Sequence, residues 1–376
     1  MKERQISEFR AALLAWFAQF RRDLPWRRSH DPYRIWISEI MLQQTRVAAV
    51  VPYYERFLKR FPSVHSLAAA PEEEVLPLWS GLGYYSRARN LRKAATQIVA
   101  RHGGEFPRTK MEMLELAGIG EYTAAAILSI AFGRNLAVLD GNVARVLARL
   151  DATRGDLRAP ERWRSLQHRA DELLDGQAAG DWNQAMMELG ATLCTPRSPQ
   201  CLLCPVQQFC RARKLGIAEQ LPERRKKRAE VRVRLVVAVF MDENGKTILL
   251  PPPAGSRQKT ADDHVPALVA KLWHFPTAAF NADGIAALQD LLGKQLKLKT
   301  CAMGSEPLPK LRHTVTYRKI EVAPMLIRVR KLPPPACGSK SIELNAVLEQ
   351  PISNLTRKVA LAALRYLSGD RDARGG

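Results

Sequence analysis

The chain has 376 residues, of which 46% are hydrophobic, so length and composition predict a folded protein of two or three domains and exclude a disordered tail. Lysine and arginine number 58 against 37 aspartate and glutamate residues, which gives a formal net charge of +21. This surplus favours a polyanionic partner such as nucleic acid, although basic residues also serve simple solubility.

The N-terminal segment has some features of a signal peptide, because an apolar stretch from Ala11 to Phe20 follows two basic residues. Its large apolar side chains nevertheless recur at helical spacing, and Arg21-Arg22-Asp23 occupies the place of a cleavage site. We therefore expect an amphipathic helix of the mature protein. No apolar run in the sequence approaches the roughly 18 residues of a membrane span, so we expect a soluble, cytoplasmic protein with no membrane partner.

A second helix is predicted from Tyr33 to Val51, where Asp31-Pro32 provides a helix start with proline at the first position. Glu39 lies at the edge of the apolar stripe of this helix, and Gln43 follows one turn later on the same face. A carboxyl group in partly apolar surroundings can be held protonated, as a general acid requires. Taken alone, however, an ordinary surface glutamate is the simpler interpretation.

Further helices are predicted at 51–60, 66–70, 71–78 and 86–101, and the absence of a strand pattern up to residue 210 indicates an all-α domain. Two glycines, Gly81 and Gly83, flank a loop that presents Tyr84 and Tyr85 just before the last of these helices. Such a loop can place an aromatic side chain against DNA bases, and core packing of the tyrosines explains the pattern equally well.

The segment Leu116 to Gly120 places Gly118 and Gly120 directly before a helical run, which allows backbone N–H groups to approach an anion. Asp140 follows twenty positions after Gly120 and opens Asp140-Gly141-Asn142, ahead of a second helical run. The sequence thus pairs a possible phosphate grip with a lone carboxylate. A helix N-cap explains Asp140 about equally well.

Four of the six cysteines fall within seventeen residues at the spacing C-x6-C-x2-C-x5-C, namely Cys194, Cys201, Cys204 and Cys210. Such crowding indicates metal ligation, because disulfides are improbable in a cytosolic protein. The asymmetric spacing favours one four-cysteine iron–sulfur cluster, but it leaves a zinc site open.

The composition changes after Leu221, where the basic run Arg224 to Arg228 predicts an exposed linker able to follow a phosphate backbone. Alternating apolar residues from Val231 to Val239 then give the first strand pattern. Asn244-Gly245 predicts a hairpin turn into a strand at 246–250. A helix at 283–292, strands around 311–327 and a final helix capped by Asn354 complete a second, α+β domain.

Six short motifs of the first 220 residues occur together: Leu24-Pro25-Trp26, Ser38 to Thr45, Gly81 to Tyr85, Leu116 to Gly120, Leu139 to Val143 and Asn183 to Gly190. Through these motifs, residues 1 to about 220 resemble the helix-hairpin-helix DNA glycosylase superfamily with an iron–sulfur cluster, and specifically the MutY adenine DNA glycosylases. The resemblance implies a 4Fe–4S cluster on the four cysteines.

The resemblance implies removal of adenine mispaired with 8-oxoguanine or guanine in double-stranded DNA, by a monomeric enzyme that turns the base out of the stack. Glu39 matches the acid that protonates adenine N7, and Asp140 matches the carboxylate that stabilises the oxocarbenium charge of the sugar. The remaining matches are Asn142 and Tyr122, which help to arrange the site; Gln43 and Tyr84, which contact or wedge the DNA; and Leu116, Gly118 and Gly120, which grip its backbone.

Tyr122 occupies the position at which endonuclease III-like relatives carry a nucleophilic lysine, and Ala144 stands where some MutY proteins have a lysine. A Schiff-base lyase step is therefore disfavoured, and we expect a monofunctional glycosylase that uses water as the final nucleophile. Two alternatives remain: an endonuclease III-like pyrimidine glycosylase, and a non-catalytic DNA-binding protein with structural zinc.

The C-terminal region resembles the MutT-like domain of MutY, which implies recognition of 8-oxoguanine on the opposite strand. It lacks the glutamate-rich element that binds magnesium in MutT-type hydrolases. Val315-Thr316-Tyr317 departs from the Phe-Ser-His pattern of the family, and Thr316 keeps the hydroxyl. The expected order is a catalytic domain at 1–220, a linker at 221–230, a recognition domain at 231–369 and a flexible tail at 370–376.

Overall fold

The structure is a computed structural model, and its chain divides into two compact units, formed by 1–78 with 84–226 and by 79–83 with 227–376. The predicted basic run, the predicted helix at 283–292 apart from Ala286, and the predicted tail all lie outside the described residues, as does Thr316. The structure describes residues 2–223, 230–251, 272–280, 286, 302–315, 317–332 and 338–369.

The first unit is helical, and residues 2–223 contain no strand, as the sequence predicts. Short links separate its helices, and several short 3-10 turns surround the cysteines. The helices are α1 (Glu3–Phe20), α2 (Pro32–Leu42), α3 (Val47–Arg60), α4 (Val64–Ala69), α5 (Glu72–Leu78), α6 (Ser86–His102), α7 (Lys110–Leu114), α8 (Glu121–Phe132), α9 (Gly141–Leu150), α10 (Pro160–Leu173), α11 (Ala179–Thr192) and α12 (Arg211–Lys214).

The single helix predicted from Tyr33 to Val51 is wrong, because α2 ends at Leu42 and α3 starts only at Val47. Gln43 is the C-cap residue of α2, and Gln44 has a left-handed φ of 58°. Gln43 therefore does not continue the helical face that carries Glu39. The chain instead turns between the two helices.

Helix α8 lies at the centre of the first unit because its sequence is apolar on nearly every side, and residues Thr123 to Ser129 are all buried. The apolar stripe of α1 packs towards α11, where the ring centroids of Phe9 and Trp182 lie 5.7 Å apart. Helix α2 packs on α8, α8 packs on α11, and α11 packs on α9. This packing brings the starts of α8 and α9 close to α2.

The second unit is α+β, as predicted, and its core lies between a mixed sheet and the C-terminal helix. β1 pairs in parallel with β6, from Val231 opposite Arg318 onwards, and the strand order is β3-β1-β6-β4, with β5 also paired to β6. The elements are β1 (Val231–Met241), β2 (Lys246–Leu249), β3 (Thr277–Ala279), β4 (Ala302–Pro307), β5 (Leu311–Val315), β6 (Arg318–Val329), β7 (Lys340–Glu343) and α13 (Asn354–Leu367).

Two local predictions for this unit need correction. The turn at Asn244-Gly245 forms, with the Gly245 N–H donating to Asp242 O at 3.1 Å, but β2 pairs with β7 instead of β1. β6 pairs with β1 along its whole length, and β3 pairs with the other edge at Leu235–Val237. The last helix is capped by Ser353, whose hydroxyl accepts from the Thr356 N–H, and not by Asn354.

Within the described residues, no helix has both the length and the apolar character needed to cross a membrane.

Candidate active site and iron–sulfur site

Glu39 lies in the last turns of α2 and is only 6% exposed, so the interpretation as an ordinary surface glutamate is wrong. Tyr122, in the first turn of α8, donates its hydroxyl proton to Glu39 Oε2 at 2.7 Å. Burial raises the pKa of Glu39 to about 7; the bond from Tyr122 opposes this rise and the charge of Asp140 adds to it. The carboxyl group is therefore partly protonated near neutral pH.

The hydroxyl of Tyr122 contacts both the Glu39 carboxyl group and a residue of α11. Its hydroxyl also lies 3.1 Å from the sulfur of Met187. Burial, followed by the neighbouring charges of Glu39 and Asp140, raises the pKa of Tyr122 well above its usual value. The phenol therefore stays neutral and remains a hydrogen-bond donor to the acid.

Asp140 is the N-cap of α9, so the capping interpretation is confirmed. One of its oxygens accepts from the N–H groups of Asn142 (2.9 Å) and Val143 (2.7 Å), and the other accepts from Asn142 Nδ2 at 3.0 Å. Burial raises the pKa of Asp140, while these three bonds and the charge of Arg145 oppose the rise. The cap fixes the carboxylate in one orientation.

The side chain of Asn142 is held on both sides. It donates to Asp140, and its Oδ1 accepts from Arg145 Nη2 at 3.0 Å. Arg145 also donates to Gly190 O (2.8 Å) and to Cys194 O (2.8 Å). Arg145, which no local pattern singled out, thus joins the start of α9 to the end of α11 and to the cysteine segment.

Gly190 allows α11 to approach the start of α9. A Cβ atom at this position would lie 2.9 Å from Asn142 Cβ and 3.2 Å from Asn142 O. We therefore expect Gly190→Ala to displace the Asp140 cap, to destabilise the protein by roughly 1–3 kcal/mol and to lower its activity. Thermal unfolding and base-release assays measure both effects. Gly141→Ala is the stability control, because nothing lies within 4 Å of its Cβ position; equal unfolding of the two variants would contradict the steric argument.

A cavity of about 630 Å³ opens at this site, within the size range of ligand pockets. It brings together the four predicted catalytic residues, Glu39, Tyr122, Asp140 and Asn142, together with the predicted DNA-contacting residue Gln43. The residues that complete its lining and that the sequence analysis did not assign to the site include Arg22, Trp26, Arg27, Met187 and Glu188.

Glu188 is a second buried carboxylate in this cavity, and its side chain is 1% exposed. Arg22 binds both of its oxygens, at 2.6 and 2.7 Å, and Arg27 donates at 2.9 Å. Burial alone would raise its pKa, but these two arginines hold the pKa of Glu188 at about 2. Because the partners lie more than 160 positions apart, no local sequence signal could have identified this group.

The segment before α8 offers two open donors. Within the described residues, the N–H groups of Leu116, Ala117 and Ile119 are hydrogen-bonded, whereas those of Gly118 and Gly120 have no protein acceptor. Leu116 itself is buried. Gly118 needs to be glycine, because its φ is 78° and an added Cβ would lie 2.7 Å from Asn90 Cβ. Among the described residues of this segment, the open N–H donors are thus those of the two glycines.

Tyr84 and Tyr85 have different environments, and the core-packing alternative applies to Tyr85 alone. Tyr85 is buried, while Tyr84 is 55% exposed and has a left-handed φ of 48°. Tyr84 does not line the cavity.

The four cysteines line one cavity beside α9, and Arg149 lines it with them. In the part of the chain that the structure describes, no three His, Cys, Asp or Glu side chains lie close enough to hold a single metal ion. Four thiols spaced around a common cavity fit a polynuclear cluster, whose ligands are attached to different iron atoms.

The helical unit matches known proteins over most of its length. Residues 37–169 match the HhH-GPD superfamily of base excision DNA repair proteins, and residues 194–210 match the iron–sulfur binding domain of endonuclease III. A thermostable thymine-DNA glycosylase of known structure is 30% identical, with a TM-score of 0.52, over 56% of this chain and 98% of its own. The chain belongs to the HhH-GPD superfamily, and it carries a 4Fe–4S site.

Within that superfamily, the chain is similar to adenine DNA glycosylases. The human protein is 47% identical over 226 residues, which are 58% of this chain and 41% of that protein. The Arabidopsis thaliana protein is 33% identical over 375 residues, which are 87% of this chain and 58% of that protein. The chain thus spans about half the length of these relatives. An endonuclease III in a non-covalent DNA complex is 25% identical, with a TM-score of 0.50, over 58% of this chain and 99% of its own.

Proposed function

We propose that the protein is a monofunctional adenine DNA glycosylase that acts on adenine opposite 8-oxoguanine or guanine in duplex DNA. The observation that carries the proposal is the pairing of a buried, proton-retaining Glu39 with a capped Asp140 in one cavity. The similarity to adenine DNA glycosylases supports the choice of base.

The proposed chemistry assigns different tasks to the two carboxyl groups. Protonated Glu39 donates to adenine N7, so that the base leaves as a neutral molecule when the bond between C1′ and N9 breaks. Asp140 faces the positive charge that develops on the sugar and stabilises it. Water then adds to C1′ and gives up a proton, which leaves an abasic site. Tyr122 and Asn142 hold the two carboxyl groups in place.

The cavity supports hydrolysis over a lyase step. A lyase of this kind needs an amine that forms a Schiff base with C1′. No lysine is present among the described residues that line the cavity, and Tyr122 is a phenol beside the acid. We therefore propose that the strand is left intact.

For DNA binding we propose three contacts. The free N–H groups of Gly118 and Gly120 bind backbone phosphate, with Leu116 supporting them from the core, and exposed Tyr84 and cavity-lining Gln43 act at the bases. We also propose that Cys194, Cys201, Cys204 and Cys210 ligate the cluster, that the protein acts as a monomer, and that the second unit, with Thr316, recognises 8-oxoguanine.

The decisive experiment uses three labelled duplexes, with adenine opposite 8-oxoguanine, adenine opposite guanine, or thymine glycol opposite adenine. We expect alkali-labile sites only in the first two, and no strand break before alkali treatment. Cleavage of the thymine glycol duplex alone would show an endonuclease III-like enzyme. Binding without cleavage of any duplex would favour the non-catalytic alternative.

Arg87 in α6 joins the two proposed base-contacting loops. Its Nη1 lies within hydrogen-bond distance of the carbonyl oxygens of Ile40 (2.7 Å), Met41 (3.1 Å) and Gln43 (2.6 Å), at the C-terminal end of α2. Its guanidinium carbon lies 5.7 Å from the centroid of the Tyr84 ring. We expect Arg87→Ala to loosen both loops and to slow base release about tenfold or more, since unpaired buried carbonyls cost roughly 1–3 kcal/mol.

The matched control is Arg89→Ala, two residues further along α6, where the arginine pairs with Glu72. Both variants lose one positive charge, so non-specific DNA affinity should fall similarly in the two. Fluorescence of 2-aminopurine beside the mispair reports unstacking, and it should be reduced only in the Arg87 variant. Equal excision rates in the two variants would contradict the positioning role.

A further inference from the structure

Arg149 is a buried arginine whose charge has no carboxylate partner among the described residues. It lies next to the last residue of α9 and is 1% exposed. Its Nε donates to Leu221 O at 2.9 Å, and its Nη1 donates to Thr195 O at 2.8 Å and lies 3.2 Å from Cys194 Sγ. Its Nη2 is buried without a protein acceptor in the part of the chain that the structure describes.

An uncompensated guanidinium in the interior is costly, and a buried carboxylate removes that cost for some arginines of this unit. Arg22 and Arg27, for example, share Glu188. The surroundings of Arg149 differ, because they consist of carbonyl oxygens and the cavity that the four cysteines line. Among the described residues that line this cavity with Arg149, the cysteines are the groups that can carry negative charge.

A 4Fe–4S cluster held by four thiolates carries net negative charge, because the thiolates outweigh the positive charge of the core. We propose that Arg149 is the buried counter-cation of this cluster, that it donates to the Cys194 sulfur, and that it raises the reduction potential of the cluster. The inference rests on the proposed cysteine ligation and is independent of which base the enzyme removes.

The direction of the effect follows from charge. Reduction adds one electron to a group that is already negative, and a fixed cation in a region of low polarity stabilises the reduced form more than the oxidised form. A hydrogen bond to a ligand sulfur acts in the same direction, because it withdraws electron density from iron.

The test measures the midpoint potential of the purified holoenzyme by potentiometric titration, for wild type, Arg149→Met and Arg149→Lys, with iron content determined in parallel. We expect Arg149→Met to shift the one-electron equilibrium at least tenfold towards the oxidised cluster, which corresponds to about 59 mV. Arg149→Lys keeps the charge, so its midpoint potential should lie between those of wild type and Arg149→Met. Arg213→Met is the matched control, because Arg213 lines the same cavity but is only partly buried, and its charge is screened by solvent.

A wild-type potential in Arg149→Met, or a shift of equal size in Arg213→Met, would overturn the proposal. If Arg149→Met lost its iron, Arg149→Lys would decide the question. Retention of the cluster near the wild-type potential in Arg149→Lys would support the counter-cation. Loss of iron in both variants would show that Arg149 only anchors Leu221 and Thr195, and would refute the proposal. The midpoint potential and the iron content do not depend on base release. Failure of the adenine assignment would therefore be detected separately, by the duplex assay.

Discussion

Glu39→Gln is expected to slow adenine release by roughly 10²–10⁴-fold, the usual contribution of a general acid. Glutamine has almost the same shape and can still accept the hydrogen bond from Tyr122, but it cannot donate an acidic proton to the base. Single-turnover kinetics on the duplex with adenine opposite 8-oxoguanine measure the effect. DNA affinity should change little, and a wild-type rate would remove Glu39 from the mechanism.

The same residue predicts how the rate depends on pH. The reactive form of Glu39 is protonated, and its pKa is raised to about 7. The rate should therefore be high below that value and fall as pH rises through it, while protonation of Asp140 should lower the rate at acidic pH. A rate that increases steadily between pH 6 and pH 8.5 would contradict the assignment of Glu39 as the acid.

Glu39 should also make stability depend on pH. Its folded-state pKa of about 7 lies above the ordinary value of 4.5, so the folded protein holds this proton more tightly than the unfolded chain. The associated stability is fully present below pH 4.5 and is lost as pH rises through about 7, with a total change of roughly 3 kcal/mol. Denaturant unfolding at pH 5 and pH 8 should show a smaller difference for Glu39→Gln than for wild type.

Asp140→Asn is the second substitution with a large expected effect, roughly 10²–10³-fold or more on base release. Asparagine can still cap α9, because its oxygen can accept from the Asn142 and Val143 N–H groups. The charge opposite the developing oxocarbenium ion is lost. Its new amide group also faces the Asn142 Nδ2 donor, which must rotate away.

Thermal unfolding separates the two roles of Asp140. If capping were its only function, Asp140→Asn would keep both stability and activity. We expect stability close to wild type with activity lost, whereas Asp140→Ala should lose both, including about 1 kcal/mol for the missing cap. Wild-type activity in the asparagine variant would remove Asp140 from the chemistry.

Much of the site was predictable because it is locally encoded. The Asp140-Gly141-Asn142 start of α9, the two glycines before α8 and the cysteine spacing are each short patterns with a direct physical meaning. Glu39 required the family resemblance, since its position at the edge of an apolar stripe, taken alone, favoured an exposed side chain. Burial against Tyr122, 83 positions away, determines its protonation state.

The remaining features depend on contacts between distant segments. The residues from Gln43 to Arg46 contain neither glycine nor proline, so nothing local ends α2; its last carbonyls instead bond to Arg87, more than forty positions away. The Glu188 cluster is likewise a tertiary feature, as is the lack of a carboxylate partner for Arg149 among the described residues. β2 pairs with β7, a strand that follows almost a hundred residues later, which no turn signal can convey.

The two open glycine donors and the phenol that contacts the acid are separated by very few residues, at the start of helix α8, whose residues Thr123 to Ser129 are all buried. Because this helix end is rigid, it fixes the distance between the two glycine N–H groups and the acid. In the proposed binding mode, a backbone phosphate bound by Gly118 and Gly120 lies within a few residues of Tyr122, so the start of α8 sets how far an extruded base reaches towards Glu39.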